Sequence, residues 1–179
     1  GIIDQTKIEL DIAKLGTIAK AVLSAPRIYI FAKGESYLAG CIFRNNLLKL
    51  DRHVTMADDG GLQTLHVKNG KPGDLYLFLS YSGIHYDYSK YAATLSERGI
   101  KPCLITAFSD SALAKQCDTV LLIPKSERVI GKVANYSSMI SLTYTLQVIY
   151  SLIFNQDYQE NYRVKREADS FIFTSFAEI

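Results

Sequence analysis

Apolar residues recur at two different spacings along the chain, which is typical of a protein in which helices and strands alternate. Residues 2–24 carry apolar side chains at three- and four-residue intervals, the period of an amphipathic helix. Later runs rich in β-branched and aromatic residues predict strands. The run at 74–79, D-L-Y-L-F-L, is apolar on both faces, as expected for a central strand of a parallel sheet. The predicted strands cover residues 27–31, 53–56, 74–79, 102–106 and 118–123.

Helical patterns separate these strands, so the chain predicts strand–helix–strand units. Such alternation favours a parallel sheet with right-handed crossovers. The predicted fold is α/β, a doubly wound five-stranded parallel sheet with helices on both faces, in a flavodoxin-like three-layer sandwich. One domain is expected over 1–179, with a core at 27–154 and a tail at 155–179 whose apolar patch, S-F-I-F-T-S-F, has no predicted place. The helices are predicted at 37–50, up to about residue 67, at 85–98, briefly after 109–111, and at 133–154.

Composition narrows the class of protein. The chain has 179 residues, 48% of them apolar and 21% charged, which suits a soluble domain with a proper core. The net charge of +2 is too near neutral to predict a nucleic-acid surface. No apolar stretch approaches the roughly 18 residues of a membrane span, so no membrane partner is expected.

The cysteines indicate a reducing setting. The chain has an odd number of cysteines, namely Cys41, Cys103 and Cys117, and no two of them have the spacing of a C-x-x-C motif. We therefore expect neither a disulfide framework nor a structural zinc site. The cysteine content fits a cytoplasmic location, which is the location we expect. The sequence predicts neither a metal nor a cofactor, since it lacks a metal-binding cluster and a nucleotide-binding glycine motif.

Glycine and serine follow two of the predicted strands directly. Gly34 and Ser36 come after the first strand, and Ser80, Ser82 and Gly83 come after the third. In doubly wound sheets, ligands bind at the carboxyl ends of the strands, where helix N-termini favour anions. Either these hydroxyls bind an anionic ligand, or the serines simply cap the helices that follow.

Four segments together resemble a known family. The segments I-F-A-K-G-E-S, D-L-Y-L-F-L-S-Y-S-G, K-P-C-L-I-T and L-A-K-Q-C-D-T-V-L-L-I-P are similar to a SIS (sugar isomerase) domain, over about residues 27–154. The phrase S-S-M-I-S-L at 137–142 is similar to one branch, the RpiR-type transcriptional regulators. In that branch the SIS domain follows an N-terminal helix-turn-helix domain and senses a phosphosugar.

The resemblance implies a set of ligand-binding residues. Hydroxyls would contact the phosphate, backbone groups would assist them, and one serine at the start of the last core helix would lie close to the sugar. The hydroxyls are those of Ser36, Ser80 and Ser82, the backbone groups those of Gly34, Gly83 and Ile84, and the last serine is Ser138.

Three positions depart from the family pattern. Ala32 stands where glycine is usual, His85 where threonine is usual, and Met139 where arginine is usual. The loss of a hydroxyl and an arginine would weaken binding or change its specificity. His85 is either a replacement donor to the ligand or a solvent-facing residue of the first helical turn.

An isomerase would need a carboxylate base and a group that opens the sugar ring. Glu127 and Glu35 are candidate bases, and His66 and His85 are candidate ring-opening groups, but no spacing specifies a catalytic pair. The expected function is therefore the sugar-phosphate-sensing and dimerisation domain of an RpiR-type regulator, with DNA contacts in a domain ahead of Ile2. A sugar-phosphate isomerase or another SIS-domain enzyme, and an interaction module with a decayed ligand site, are the alternatives. A homodimer or larger symmetric assembly is expected from the apolar helices at 2–24 and 133–154.

Overall fold

A parallel sheet forms the centre of the protein. The computed structural model describes residues 1–57, 59–131 and 134–177. Neighbouring strands pair in parallel, and the order of the five strands in these residues is β2-β1-β3-β4-β5. This order confirms the predicted doubly wound fold. The strands are β1 (Ile28–Ala32), β2 (Val54–Met56), β3 (Leu75–Leu79), β4 (Cys103–Thr106) and β5 (Thr119–Leu122).

Helices cover both faces of the sheet. Most lie within two or three residues of the predicted positions, and the predicted start of the last core helix at Val133 lies outside the described residues. The helices are α1 (Ile2–Glu9), α2 (Ile12–Ser24), α3 (Glu35–Leu48), α4 (Gly60–Asn69), α5 (Tyr86–Glu97), α6 (Tyr136–Gln156) and α7 (Tyr158–Ala177), with a short 3-10 helix at Ala114–Gln116.

Alternation of side chains along the central strands divides the core into two layers. Ile30 and Leu77 point to one face, where they pack with buried residues of α2, α3 and α6. Phe31 and Phe78 point to the other face, toward α4 and α5. All residues of β1 and β3 are buried, as the apolar runs predict. The three-layer arrangement is thereby confirmed.

The opening segment is two helices, so the prediction of one helix over 2–24 is wrong. The chain leaves the helical conformation at Leu10, and Asp11 becomes the N-cap of α2. The Asp11 side chain accepts a hydrogen bond of 3.1 Å from the backbone N–H of Lys14. A capping aspartate satisfies a free N–H group of the new helix and so favours a break.

The first helix is held to the core by a buried polar contact. The Thr6 side chain is fully buried, and its hydroxyl lies 2.7 Å from the Ile2 carbonyl oxygen and 3.0 Å from the Ser141 hydroxyl of α6. Such pairing satisfies polar groups that burial would otherwise leave unbonded. Helix α1 is therefore a packed part of the domain.

An ion pair joins the starts of the two central strands. Arg27, directly before β1, donates hydrogen bonds from its guanidinium group to both carboxylate oxygens of Asp74, directly before β3. Asp74 is buried, and its carboxylate also accepts the backbone N–H of Lys71 at 2.7 Å. This buried carboxylate is paired and hydrogen-bonded, the condition under which such burial is tolerated.

The tail at 155–179, which the sequence left unplaced, begins with the last two residues of α6 and continues, within the described residues, as helix α7. Arg163 pairs with Glu160 and Glu167 on the solvent-facing side, and such pairs support an exposed helix. Of the apolar patch, Phe171 and Phe173 are each 75% exposed.

Helix α6 is long and apolar enough to cross a membrane by length and composition alone. A core helix of a folded domain passes the same test. Residues along α6, among them Leu142, Leu146 and Ile149, are buried in the same layer as the core residues of α2 and α3. The core therefore accounts for part of the apolar character of α6, while other apolar side chains such as Ile140 stay exposed.

Candidate functional site

The loops after β1 and β3 lie side by side, because these strands pair along their whole length. Strand β1 has β2 on one side and β3 on the other, so the crossovers diverge between β1 and β3. This is the switch point at which doubly wound sheets bind ligands. The structure thus brings together the two glycine- and serine-rich loops.

The loop after β1 reaches helix α3 through a glycine with a positive φ. Gly34 is the N-cap of α3 and has φ 57°, a region that favours glycine. Ser36 follows in the first turn of α3, where free N–H groups and the helix dipole favour an anion. The backbone shape therefore presents the start of α3 at the carboxyl edge of the sheet.

The loop after β3 is a tight turn stabilised by Ser80. The Ser80 hydroxyl, which is buried, accepts a hydrogen bond of 3.1 Å from the Gly83 backbone N–H. Gly83 has φ 65°, and a Cβ atom there would lie 2.2 Å from Ser111 Oγ. Ser80 therefore has a structural role in the turn. The Gly83 N–H, predicted to help bind phosphate, is bonded to Ser80.

A cavity of about 140 Å³ opens between these loops and the start of α6. It is smaller than the roughly 300–1,000 Å³ of sites for drug-sized ligands, so it suits a small ligand. Six of the ligand-binding or catalytic candidates from the sequence line it. The lining consists of Lys33, Glu35, Ser36, Ser80, Tyr81, Ser82, His85, Ile123, Val129, Asn135, Ser138, Met139 and Leu142.

Some sequence candidates lie off the cavity surface. Gly34, Gly83 and Ile84 are absent from the described lining, and the Ile84 side chain is 65% exposed to solvent. Glu127 is also absent from it, and His66 contacts Tyr29 instead, with ring centroids 5.0 Å apart. Gly34 and Ile84 could therefore contact a ligand only through their backbone groups.

Glu127 is fixed against the start of α6. Its carboxylate accepts the backbone N–H of Ser138 at 2.9 Å and the Ser138 hydroxyl at 2.8 Å. The Tyr81 hydroxyl lies 2.8 Å from the Glu127 backbone nitrogen and 3.0 Å from its carbonyl oxygen. A carboxylate at a helix N-terminus is favourable for the helix dipole. Glu127 thus joins the loop after β5 to α6, and Ser138 is bonded to it.

His85 is the N-cap residue of α5, and its ring lies against Tyr88 with centroids 5.4 Å apart. Burial, and secondarily the Lys33 ammonium group, lowers the pKa of His85 below its ordinary value, while Asp87 opposes this. The imidazole is therefore mostly neutral at pH 7. Since it is half-buried and lines the cavity, the structure disfavours the solvent-facing alternative for His85.

The lowered pKa of His85 predicts proton uptake when an anion binds. A phosphate dianion beside the ring stabilises the imidazolium, so binding raises the pKa of His85 from its lowered value in the free protein. The affinity for the dianion therefore rises as the pH falls toward that lowered pKa. Calorimetry in two buffers of different ionisation enthalpy, near pH 6.5, measures the protons taken up. The phosphate itself titrates near pH 6 in every variant, so His85→Gln is the control. Equal uptake by wild type and His85→Gln would contradict this role.

A family model of the SIS domain matches residues 22–153 of the chain. The chain belongs to the SIS domain family. This SIS domain is similar to the sugar isomerase domain of an RpiR transcription factor from Sphaerobacter thermophilus, with a TM-score of 0.80, 21% identity, and coverage of 94% of this chain and 92% of that one. It is also similar to the Vibrio vulnificus NanR protein complexed with ManNAc-6P, with a TM-score of 0.86, 20% identity, and coverage of 97% and 66%.

Curated relatives of the SIS domain include regulators and enzymes. An uncharacterized HTH-type transcriptional regulator from Caldanaerobacter subterraneus is 27% identical over 161 residues, covering 88% of this chain and 56% of the relative. A glutamine–fructose-6-phosphate aminotransferase from Pyrobaculum aerophilum is 31% identical over 119 residues, 65% of this chain and 19% of the enzyme. The chain therefore spans about half of one relative and about a fifth of the other.

Two of the departures from the SIS pattern are placed by the structure. Ala32 is buried at the end of β1, where it pairs with Leu79. Met139 lines the cavity, so an apolar side chain stands where the family usually has a cation.

The sequence-based site omitted residues that the structure adds to the SIS cavity. Lys33 lines it from the loop after β1, and Asn135 lines it as the N-cap of α6. The sequence does carry a signal for Lys33. A lysine that stands between the first strand and the Gly-x-Ser segment must lie near the strand end where the serines lie. The described residues include no group of three His, Cys, Asp or Glu side chains that could hold a metal ion.

Proposed function

We propose that this SIS domain binds a phosphorylated sugar in the cavity, as the effector-sensing and dimerisation domain of an RpiR-type transcriptional regulator. The observation that carries the proposal is the convergence of Ser36 and Ser82 on one small cavity. Within the described residues neither hydroxyl has a hydrogen-bond partner, so both are available to a ligand. A protein of similar fold, the NanR protein, occurs in complex with ManNAc-6P.

We expect the phosphate to lie in the part of the cavity that is lined by the starts of α3 and α5. The first turns of both helices reach it, through Ser36 and the His85 N-cap. Helix N-termini bind anions through free N–H groups and the helix dipole. Backbone groups at Gly34 and Ile84 would add donors there, whereas the Gly83 N–H is already bonded to Ser80.

The sugar is expected to lie beside the start of α6. Asn135 and Ser138 line the cavity there, and amide and hydroxyl groups suit the hydroxyls of a sugar. The Ser138 hydroxyl donates to Glu127, so it is left as an acceptor for a sugar hydroxyl. The ligand would thus lie between three helix starts.

A sugar-phosphate isomerase is the second candidate, because Glu35 and His85 line the same cavity. They could serve as base and ring-opening acid in proton transfer between two carbons. The carboxylate of Glu127 is engaged by Ser138, which favours a structural role for it.

A second copy of the chain is the expected partner. Helices α3 and α6 pack against each other and both expose large apolar side chains, such as Leu38 at 56% and Ile140 at 43%. Exposed apolar surface of this kind is typical of interfaces between identical subunits. DNA contacts would lie in sequence outside this chain, since its net charge is only +2.

Titration calorimetry with ManNAc-6P, arabinose 5-phosphate, glucose 6-phosphate and inorganic phosphate tests the proposal. At least one sugar phosphate is expected to bind, unphosphorylated glucose is not, and NMR of the mixtures should show no interconversion. Light scattering should give a mass above the 20.0 kDa of one chain. Turnover would favour the isomerase, and binding of none of the four probes would favour a decayed site in an interaction module.

A further inference from the structure

Lys33 is the one lysine or arginine among the described residues that line the cavity. The predicted phosphate contacts, Ser36 and Ser82, are neutral hydroxyls, and His85 is mostly neutral because its pKa is lowered. Among the described lining residues, Lys33 is therefore the one side chain that carries a full positive charge before a phosphate dianion binds.

Lys33 is held beside the first turn of α5. Its Nζ lies 3.8 Å from Oδ2 of Asp87 and 5.1 Å from the centre of the Tyr88 ring. The Lys33 and Asp87 side chains are 44% and 61% exposed, and ion pairs that accessible contribute little free energy. The ammonium group is thus positioned at the cavity by contacts that a more highly charged partner can replace.

The carboxylates near the cavity make a cation there favourable for an anionic ligand. Glu35 lines the cavity, Glu127 is bonded to the lining residue Ser138, and Asp87 lies beside Lys33. Carboxylates near the site raise the electrostatic cost of a dianion, and the Lys33 ammonium group adds a full positive charge to the hydroxyls and helix N-termini that offset this cost.

We propose that Lys33 is the group that selects the phosphate dianion, and that Asp87 holds it in the free protein and competes with the phosphate for it. This rests on the proposed function and names a charged contact that the serine loops do not supply. Ligands with a doubly charged phosphate are then preferred over neutral sugars and over singly charged esters.

Charge-altering variants of the 179-residue chain test the proposal with the same four probes. Lys33→Gln removes a charge-assisted contact, so affinity should fall by about 10- to 100-fold. Lys33→Arg keeps the charge and should bind more tightly than Lys33→Gln. The matched control is Lys90→Gln on α5, whose Nζ lies over the Tyr86 ring at 4.5 Å and which is absent from the described cavity lining. It should bind as wild type does.

The variant Asp87→Asn tests whether Asp87 competes with the phosphate for Lys33 or has only a structural role. Losing the competitor should tighten binding by up to about fivefold, from a surface pair of at most about 1 kcal/mol. The gain should shrink in the Lys33→Gln background, because the two residues act on one contact. Thermal melts by circular dichroism report whether each variant is folded.

The outcomes distinguish this inference from the proposed function. If wild type binds a sugar phosphate and folded Lys33→Gln binds it equally well, the role of Lys33 is overturned and the proposed function stands. If Asp87→Asn binds no more tightly than wild type, the competition is overturned. If wild type binds none of the four probes, the proposed function fails, and this inference with it.

Discussion

Replacing Gly83 with alanine should lower the free energy of unfolding by about 2–5 kcal/mol, the sum of a positive-φ penalty and overpacking. Gly83 has φ 65°, and a Cβ atom there would lie 2.2 Å from Ser111 Oγ and 2.6 Å from Ser111 Cβ. Relief of that clash moves the turn after β3, so affinity for a sugar phosphate should fall too. Urea denaturation measures the stability, and calorimetry the affinity.

Gly99→Ala separates the two causes of this loss. Gly99 has φ 74°, yet a Cβ atom there would meet nothing within 4 Å, so this variant should lose only about 1–2 kcal/mol. Adding Ser111→Gly to Gly83→Ala should restore part of the stability, because it removes both clashing atoms. A loss at Gly83 no larger than that at Gly99 would contradict the steric argument.

The double variant Ser36→Ala/Ser82→Ala should weaken sugar-phosphate binding by at least about 100-fold. Each hydroxyl is expected to make a charge-assisted hydrogen bond worth roughly 1.5–3 kcal/mol, and each tenfold in affinity corresponds to about 1.4 kcal/mol. Neither hydroxyl bonds another described residue, so stability should change little. Ser80→Ala is a poorer test of binding, because Ser80 also stabilises the turn through Gly83.

The matched control for this variant is Ser109→Ala, an exposed serine in the loop after β4 that is absent from the described lining. Its affinity and stability should equal those of wild type. An unchanged affinity in the double variant, with normal stability, would exclude these hydroxyls from the phosphate site.

The fold could be predicted because its central strands carry an unambiguous pattern. Strands β1 and β3 are buried at every residue, and each ends in a loop of glycine and serine. The break at Leu10 and Asp11 was not predictable from periodicity, because the apolar spacing continues across it. A single capping aspartate decides that boundary.

Helix α7 escaped prediction because little of it is buried. The apolar run near the end of α7, where Phe171 and Phe173 are exposed, gives no helical period. The sequence pattern that indicates this helix is instead the spacing of opposite charges. Arg163 lies three residues after Glu160 and four residues before Glu167, and pairs at these spacings stabilise a helix.

For the site, local spacing could predict only what each loop carries. The hydroxyls and His85 line one cavity because their strands are neighbours, which follows from the topology. The pairing of Glu127 with Ser138 joins residues on either side of a loop, and no local pattern indicates it. The place of Lys33 directly after the first strand was a signal for the site, but its contacts with Asp87 and Tyr88 are shown only by the structure.

The ion pair between Arg27 and Asp74 has a consequence for the order in which parts of the chain fold. The two residues are 47 positions apart in the chain, and they start the two strands whose opposite ends carry the serine loops. Contacts between distant segments require closing a long loop and form more slowly than local ones. During synthesis, β1 can pair with β2 first, and its pairing with β3 follows only after Asp74 and β3 have emerged. The cavity also needs the start of α6, so a nascent chain stopped before Ser138 lacks part of the ligand site even when β1 and β3 have paired.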